Sequence, residues 1–172
     1  SSFDQRHVLN ASYVLSSPAR DSGPRVLRNW TLSGAIAATS GTPLTARVLG
    51  NQSDTGGTGV IGSGRADSTG LPLYDGSRFF NLAAFAIPRS GMFGNSARNL
   101  IDGPARVSFN LSVARSLRLA ERRSLELRLE SQNFTNRVSF TNVGTVLNAI
   151  TYGLPTSTAP MRTVSAMLRL RF

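Results

Sequence analysis

The last ten residues, Thr163-Val164-Ser165-Ala166-Met167-Leu168-Arg169-Leu170-Arg171-Phe172, decide the fold. Val164, Ala166, Leu168, Leu170 and Phe172 alternate without a break with Thr163, Ser165, Met167, Arg169 and Arg171. A period of two places residues i, i+2 and i+4 on one face of an extended chain. The segment therefore predicts a β-strand with one apolar face and one largely polar face that ends in two arginines.

The same period recurs upstream. In 124–134, Leu125, Leu127 and Leu129 alternate with Glu126, Arg128 and Glu130; in 107–117, Val107, Phe109, Leu111 and Val113 alternate with Ser108, Asn110, Ser112 and Ala114. Trp30, Leu32, Ile36 and Ala38 share a face with Gly34 in 29–39, and Leu9, Ala11, Tyr13 and Leu15 share one in 7–15. A shorter run, 43–49, sets Leu44, Ala46 and Val48 against Thr45 and Arg47. The helix formers between Leu111 and Glu130 do not alter this reading. On a helix Leu125, Leu127 and Leu129 would be spread around the whole circumference rather than along one stripe. The expected fold is all-β, an antiparallel up-and-down meander of about six strands near 7–15, 29–39, 43–49, 107–117, 124–134 and 162–172.

The connections alternate between long and short: 16–28, then 40–42, then 50–106, then 118–123, then 135–162. In a meander, alternate turns lie at alternate ends, so the long ones gather on one side, as in outer-membrane barrels with long extracellular loops and short periplasmic turns. This parity predicts a periplasmic C-terminus. Strands of about nine to eleven residues match the ~9 to 11 needed to cross a bilayer at a tilt. Ser, Thr, Asn, Arg and Glu on the polar faces suit a wet lumen, and Leu, Val, Phe, Trp and Tyr on the others suit lipid. Six strands cannot close a barrel, for which single-chain bacterial examples need at least ~8. The chain, which also opens without a Met or a signal sequence, is therefore expected to be the C-terminal part of a larger barrel in a Gram-negative outer membrane.

Composition fits this picture. Of 172 residues, 19 are Lys or Arg and 9 Asp or Glu, giving +10, and all 19 are arginine; the single histidine is His7. Cysteine is absent, which excludes a disulfide framework and thiolate metal sites. A basic balance also raises a soluble nucleic-acid-binding domain as a rival. The arginines, however, are dispersed over turns and polar faces, with no aromatic-interleaved stripe, so no nucleic-acid partner is expected.

Several stretches carry a family resemblance: Asp4-Gln5-Arg6-His7 opening a strand; Trp30-Thr31-Leu32-Ser33-Gly34 with Ser40-Gly41-Thr42-Pro43-Leu44; Phe79-Phe80-Asn81 with Ala84-Phe85; Phe93 to Asn99 running to Gly103-Pro104; Leu127-Arg128 through Asn133-Phe134-Thr135-Asn136; and Phe172. Together they resemble the C-terminal β-barrel segment of a TonB-dependent outer-membrane receptor of the Oar-like type, whose barrel follows a carboxypeptidase-regulatory-like domain and a plug. Ser131-Gln132 departs from that pattern, which more often has apolar or aromatic residues there. The resemblance implies solute uptake, with outer-membrane lipid, the remaining strands, the plug, TonB and the assembly machinery as partners. It implies neither enzymatic activity nor a cofactor. A porin or adhesin barrel is the alternative.

On this reading Val164, Ala166, Leu168, Leu170 and Phe172 face lipid, and Phe172 belongs to the C-terminal signal that the resemblance implies is read by the assembly machinery. Glu126 and Glu130 are expected on the lumenal face beside Arg169 or Arg171. Within the long loop 50–106, the Gly/Ser/Thr/Asp-rich part 51–70 is expected to be mobile. Phe79, Phe80, Phe85 and Phe93 are expected to anchor its second half as an extracellular element of solute capture. Gly57-Thr58-Gly59-Val60-Ile61-Gly62 satisfies G-x-G-x-x-G but lacks the flanking strand and helix of a dinucleotide site. The loop carboxylates Asp54, Asp67, Asp75 and Asp102 show no calcium-loop spacing.

Overall fold

A computed structural model of the chain describes residues 2–17, 27–50, 63–76, 79–121 and 123–172. Among these, the regular elements are strands apart from short 3-10 turns such as Leu82–Ala84. Arg123–Gln132 pairs antiparallel with both Arg106–Ala120 and Thr163–Arg171, as do Pro43–Leu44 with Ile101–Asp102, Arg47–Leu49 with Ser63–Arg65, Asp67–Ser68 with Phe85–Ala86 and Phe140–Val143 with Pro155–Thr158. Isolated parallel bridges join Arg47 to Val146 and Gly144 to Tyr152. The chain divides into two compact units, one made of 8–38, 107–138 and 160–172, the other of 1–7, 39–106 and 139–159.

The first unit is a single sheet. Its strands are β1 (Val8–Ser16), β2 (Trp30–Thr39), β9 (Arg106–Ala120), β10 (Arg123–Gln132) and β13 (Thr163–Arg171), side by side in the order β1-β2-β9-β10-β13. Neighbours in space are neighbours in the chain once the long connections are set aside, which is the meander expected from the alternation. Ser17 N–H donates to the Trp30 carbonyl at 2.8 Å, and Ser116 N–H to that of Asn29 at 3.1 Å, which registers β1, β2 and β9. Leu125 lies opposite Leu117 on one side and Leu170 on the other, and Leu129 opposite Val113 and Ala166. The apolar residues of successive strands thus fall on one face. A bulge at Arg123/Ser124 follows the tight β9–β10 turn.

The second unit contains short pairs. These are β3 (Pro43–Leu44) with β8 (Ile101–Asp102), β4 (Arg47–Leu49) with β5 (Ser63–Arg65), β6 (Asp67–Ser68) with β7 (Phe85–Ala86), and β11 (Phe140–Val143) with β12 (Pro155–Thr158). Its core is Ala46, Val48, Ala66, Phe80, Ala84, Phe85, Ile101 and Val143. Asparagine amides staple the irregular backbone. Asn148 accepts from Leu49 N–H at 3.0 Å and donates to the Leu49 carbonyl at 2.7 Å; Asn81 caps the 3-10 turn through Ala83 N–H at 3.0 Å; Asn95 accepts from Ser68 N–H at 2.8 Å. Each replaces a missing ladder bond, so loop backbone can be buried without orphaned donors.

Three expectations are corrected here. Residues 43–49 are not a sixth strand of the sheet. Their alternation is real, but Ala46 and Val48 are buried in the second unit, and Ala66 N–H donates to the Ala46 carbonyl. With that run removed, the parity changes: the 16–28 connection lies at the same end of the sheet as the β9–β10 turn, and the two connections 40–105 and 133–162 share the other end. The C-terminus stays at the tight-turn end. Finally, only 63–70 of the stretch expected to be mobile can be judged, since 51–62, with the glycine motif and Asp54, lie outside the described residues. Residues 63–68 are ordered by backbone pairing, and Ala66 is 0 % exposed. Composition failed there because small residues bury their backbone through hydrogen bonds rather than side-chain area.

Candidate functional site

The chemistry of this chain lies in the two faces of the sheet. On the apolar face, Leu125, Leu127 and Leu129 of β10 stand between Leu117, Arg115 and Val113 of β9 and Leu170, Leu168 and Ala166 of β13. Nothing in the sheet is buried: Leu9, Leu15, Ile36, Leu127, Leu129, Val164 and Leu170 are all exposed, Leu168 is 68 % exposed, and Phe172 extends past the end of β13. Burying a side chain of this size contributes ~1.5–3 kcal/mol. A sheet that leaves a whole row of them uncovered is not made for water.

Tyr13 lies over Gly34, where an added Cβ would stand 2.6 Å from the phenolic oxygen and 2.8 Å from the Asn110 carbonyl. The glycine is therefore a socket for the ring, joining β1 to β2. One cation interrupts the apolar face. Arg115, opposite Leu127, stacks with its guanidinium carbon 5.1 Å from the centre of the Trp30 ring. The stem of such an arginine packs on apolar surface while its head is held by the indole. Alternation places Trp30 on this face, but Arg115 lies one step beyond the apolar run Val107, Phe109, Leu111 and Val113.

The opposite face carries a charge ladder. Glu126 and Glu130 do not share the arginines of β13 evenly. Arg128 donates to both, to Glu126 at 3.0 Å and to Glu130 at 3.4 Å, and Arg171 reaches Glu126 at 3.7 Å. Among the described residues Arg169 makes no ion pair, although it sits opposite Glu126 in register, and Glu130 lies opposite Ser165 and Ser112. Pairing along the strand wins for Glu130 because its neighbours across the ladder are serines. Ser16, Arg118 and Ser124 line a cleft of about 570 Å³ near the β9–β10 turn.

In the second unit, three of the four phenylalanines singled out in the sequence act as packing anchors. Phe80, 2 % exposed, meets Phe85 edge-on at 6.2 Å and Tyr152 at 5.6 Å, and Phe79 meets Phe140 at 5.9 Å. Phe93 departs from the expectation. It is 80 % exposed, because the irregular run 92–97 is held by its backbone, for example by Asn95 N–H donating to the Asp67 carboxylate at 2.9 Å and Ser96 N–H to the Ala66 carbonyl at 3.0 Å, with its ring left outward.

Burial pushes the Tyr152 phenol up to about 12, and its O–H donates to the Leu82 carbonyl at 3.1 Å. Burial also raises Tyr74, whose oxygen accepts from Asp102 N–H at 3.0 Å while its O–H donates to the Asp102 carboxylate at 3.2 Å. His7 joins Ser40 through its backbone. Among the described residues no group of three or more potential ligands converges on a metal position.

No curated protein and no solved structure matches the chain. A protein-family model does, the one described as "Outer membrane beta barrel domain", over residues 1–165. An antiparallel meander with one uncovered apolar face is the wall that such a domain requires, and the match spans nearly all of the 172 residues. The chain belongs to the outer membrane beta barrel domain family.

Proposed function

We propose that the chain forms the C-terminal part of the barrel wall of a TonB-dependent, Oar-like receptor that takes up solute across the outer membrane, with transport and not catalysis as its role. The observation that carries this reading is the five-stranded sheet with no buried residue. Its apolar face is matched to lipid, its charged face to a wet lumen, and its outer strands β1 and β13 to further strands of a larger barrel. The packed elements within 40–105 and 133–162 support the receptor over a simple porin, since both connections leave the same end of the sheet and carry their own core. The tight β9–β10 turn and the C-terminus then lie on the periplasmic side, where the plug and TonB engage the complete protein. Phe172 acts in recognition by the assembly machinery.

The test uses the complete receptor expressed in a Gram-negative host. Accumulation of a panel of radiolabelled solutes is compared with and without TonB, with surface expression held equal. Uptake of at least one solute that disappears without TonB supports the receptor. TonB-independent accumulation identifies a porin, and deletion of Phe172 without loss of outer-membrane yield overturns its assembly role.

A further inference from the structure

We infer that the polar face of the sheet, at the end bearing the β9–β10 turn, holds a station for the phosphoryl group of a solute. The inference rests on the lumenal assignment of that face proposed above. Ser124 lies in register between Arg118 of β9 and Arg171 of β13, and the next position on the same face sets Glu126 between Ser116 and Arg169. Arg118 and Arg171 flank Ser124 from the two adjoining strands, two strand spacings or ~9–10 Å apart, a gap that two long guanidinium side chains can close around one anion. The cleft there, about 570 Å³, is lined by Ser16, Ser17, Ser116, Arg118 and Ser124 among others, so hydroxyl donors and the Arg118 fork face the same space.

The charge is not neutralised within the face. Among the described residues of β9, β10 and β13 on this face, Arg118, Arg128, Arg169 and Arg171 stand against Glu126 and Glu130. Arg128 takes up both carboxylates at 3.0 and 3.4 Å, and Arg171 has a longer contact of 3.7 Å to one of them. Among the described residues no carboxylate pairs with Arg118 or Arg169. Unneutralised guanidiniums beside hydroxyls are the donor set that a tetrahedral, multiply charged oxyanion uses, since the planar fork matches two phosphoryl oxygens at once. A carboxylate would fill fewer of these donors. The position suits a transfer point, because an anion leaving the barrel at its tight-turn end would pass along this face.

The complete protein, folded in maltoside micelles that contain no phosphorus, is titrated calorimetrically with inorganic phosphate and, separately, with short-chain phosphatidylglycerol and phosphatidylcholine. Heat-modifiable gel mobility of each sample reports whether the barrel is intact. Saturable phosphate binding is expected, weakened at least ~tenfold by Arg118→Gln and by Arg169→Gln. Arg89→Gln, at an exposed position in the other unit, leaves it unchanged. Glu126→Gln strengthens binding by releasing Arg171, while Arg128 keeps Glu130, whereas a purely structural ladder would lose affinity. No saturable binding with the barrel intact overturns the station and leaves the receptor reading standing. Binding of phosphatidylglycerol without inorganic phosphate assigns the arginines to lipid headgroups and overturns the solute. Phosphate binding by a protein with no heat-modifiable barrel overturns the lumenal reading instead.

Discussion

Tyr13 and Gly34 illustrate how much of the sheet depends on single side chains fitting without a core. The ring occupies the space where any other residue at position 34 would place its Cβ, and the Asn110 carbonyl closes the remaining side. Gly34→Val should therefore cost ~1–3 kcal/mol, the range for forcing extra atoms into a packed site. Tyr13→Ala should recover only part of it, since the clash with backbone remains. Urea unfolding of the micelle-bound protein checks both. A second residue-level prediction concerns pH. The Tyr152 phenol is held protonated by burial, with its pKa raised from 10.0 to about 12. The folded state thus binds more protons than the unfolded state between these values, so stability falls as pH rises through the window and is fully present below ~10. Tyr152→Phe should flatten that alkaline loss, as measured by denaturation midpoints from pH 9 to 12.

Strands were legible where a long run alternated, because period two survives any tertiary context. That Glu126 would lie near Arg169 or Arg171 was legible from the antiparallel order of the two strands; the register, with Glu126 opposite Arg169, was not, since the long connection 133–162 does not fix it. Which arginine each glutamate chose was not legible, since that depends on rotamers and on serines opposite Glu130. Residues 43–49 show the other limit. Their alternation announces a half-buried strand but does not name the surface that buries it, and Ala46 and Val48 went to the core of the second unit. The prediction at this scale is an ordering. Arg128→Ala strands two carboxylates on one face and should lower barrel stability more than Arg171→Ala, whose 3.7 Å contact is solvent-screened. Equal losses in thermal heat-modifiability scans would contradict the ladder described here.

At the level of the molecule, the division between a sheet without a core and a unit with one separates two kinds of stability. The aromatic cluster was readable from Phe79, Phe80 and Phe85. The asparagine staples were not, because an amide's partner is fixed only once the backbone has folded. Phe80→Ala should cost ~3–5 kcal/mol within the second unit. Limited proteolysis should then cut within 63–106 first, while the strands of the sheet stay protected in the micelle. Lipid contact along one face of the sheet is the claim on which the rest depends, and these 172 residues hold no cysteine of their own to compete with an introduced label. Nitroxide labels are placed one at a time at 126, 127, 168 and 169 of the complete protein, each through a single introduced cysteine, in bilayers. The account predicts high oxygen and low nickel-chelate accessibility at Leu127→Cys and Leu168→Cys, and the reverse at Glu126→Cys and Arg169→Cys. Equal accessibilities at all four positions, or the inverted alternation, would contradict it.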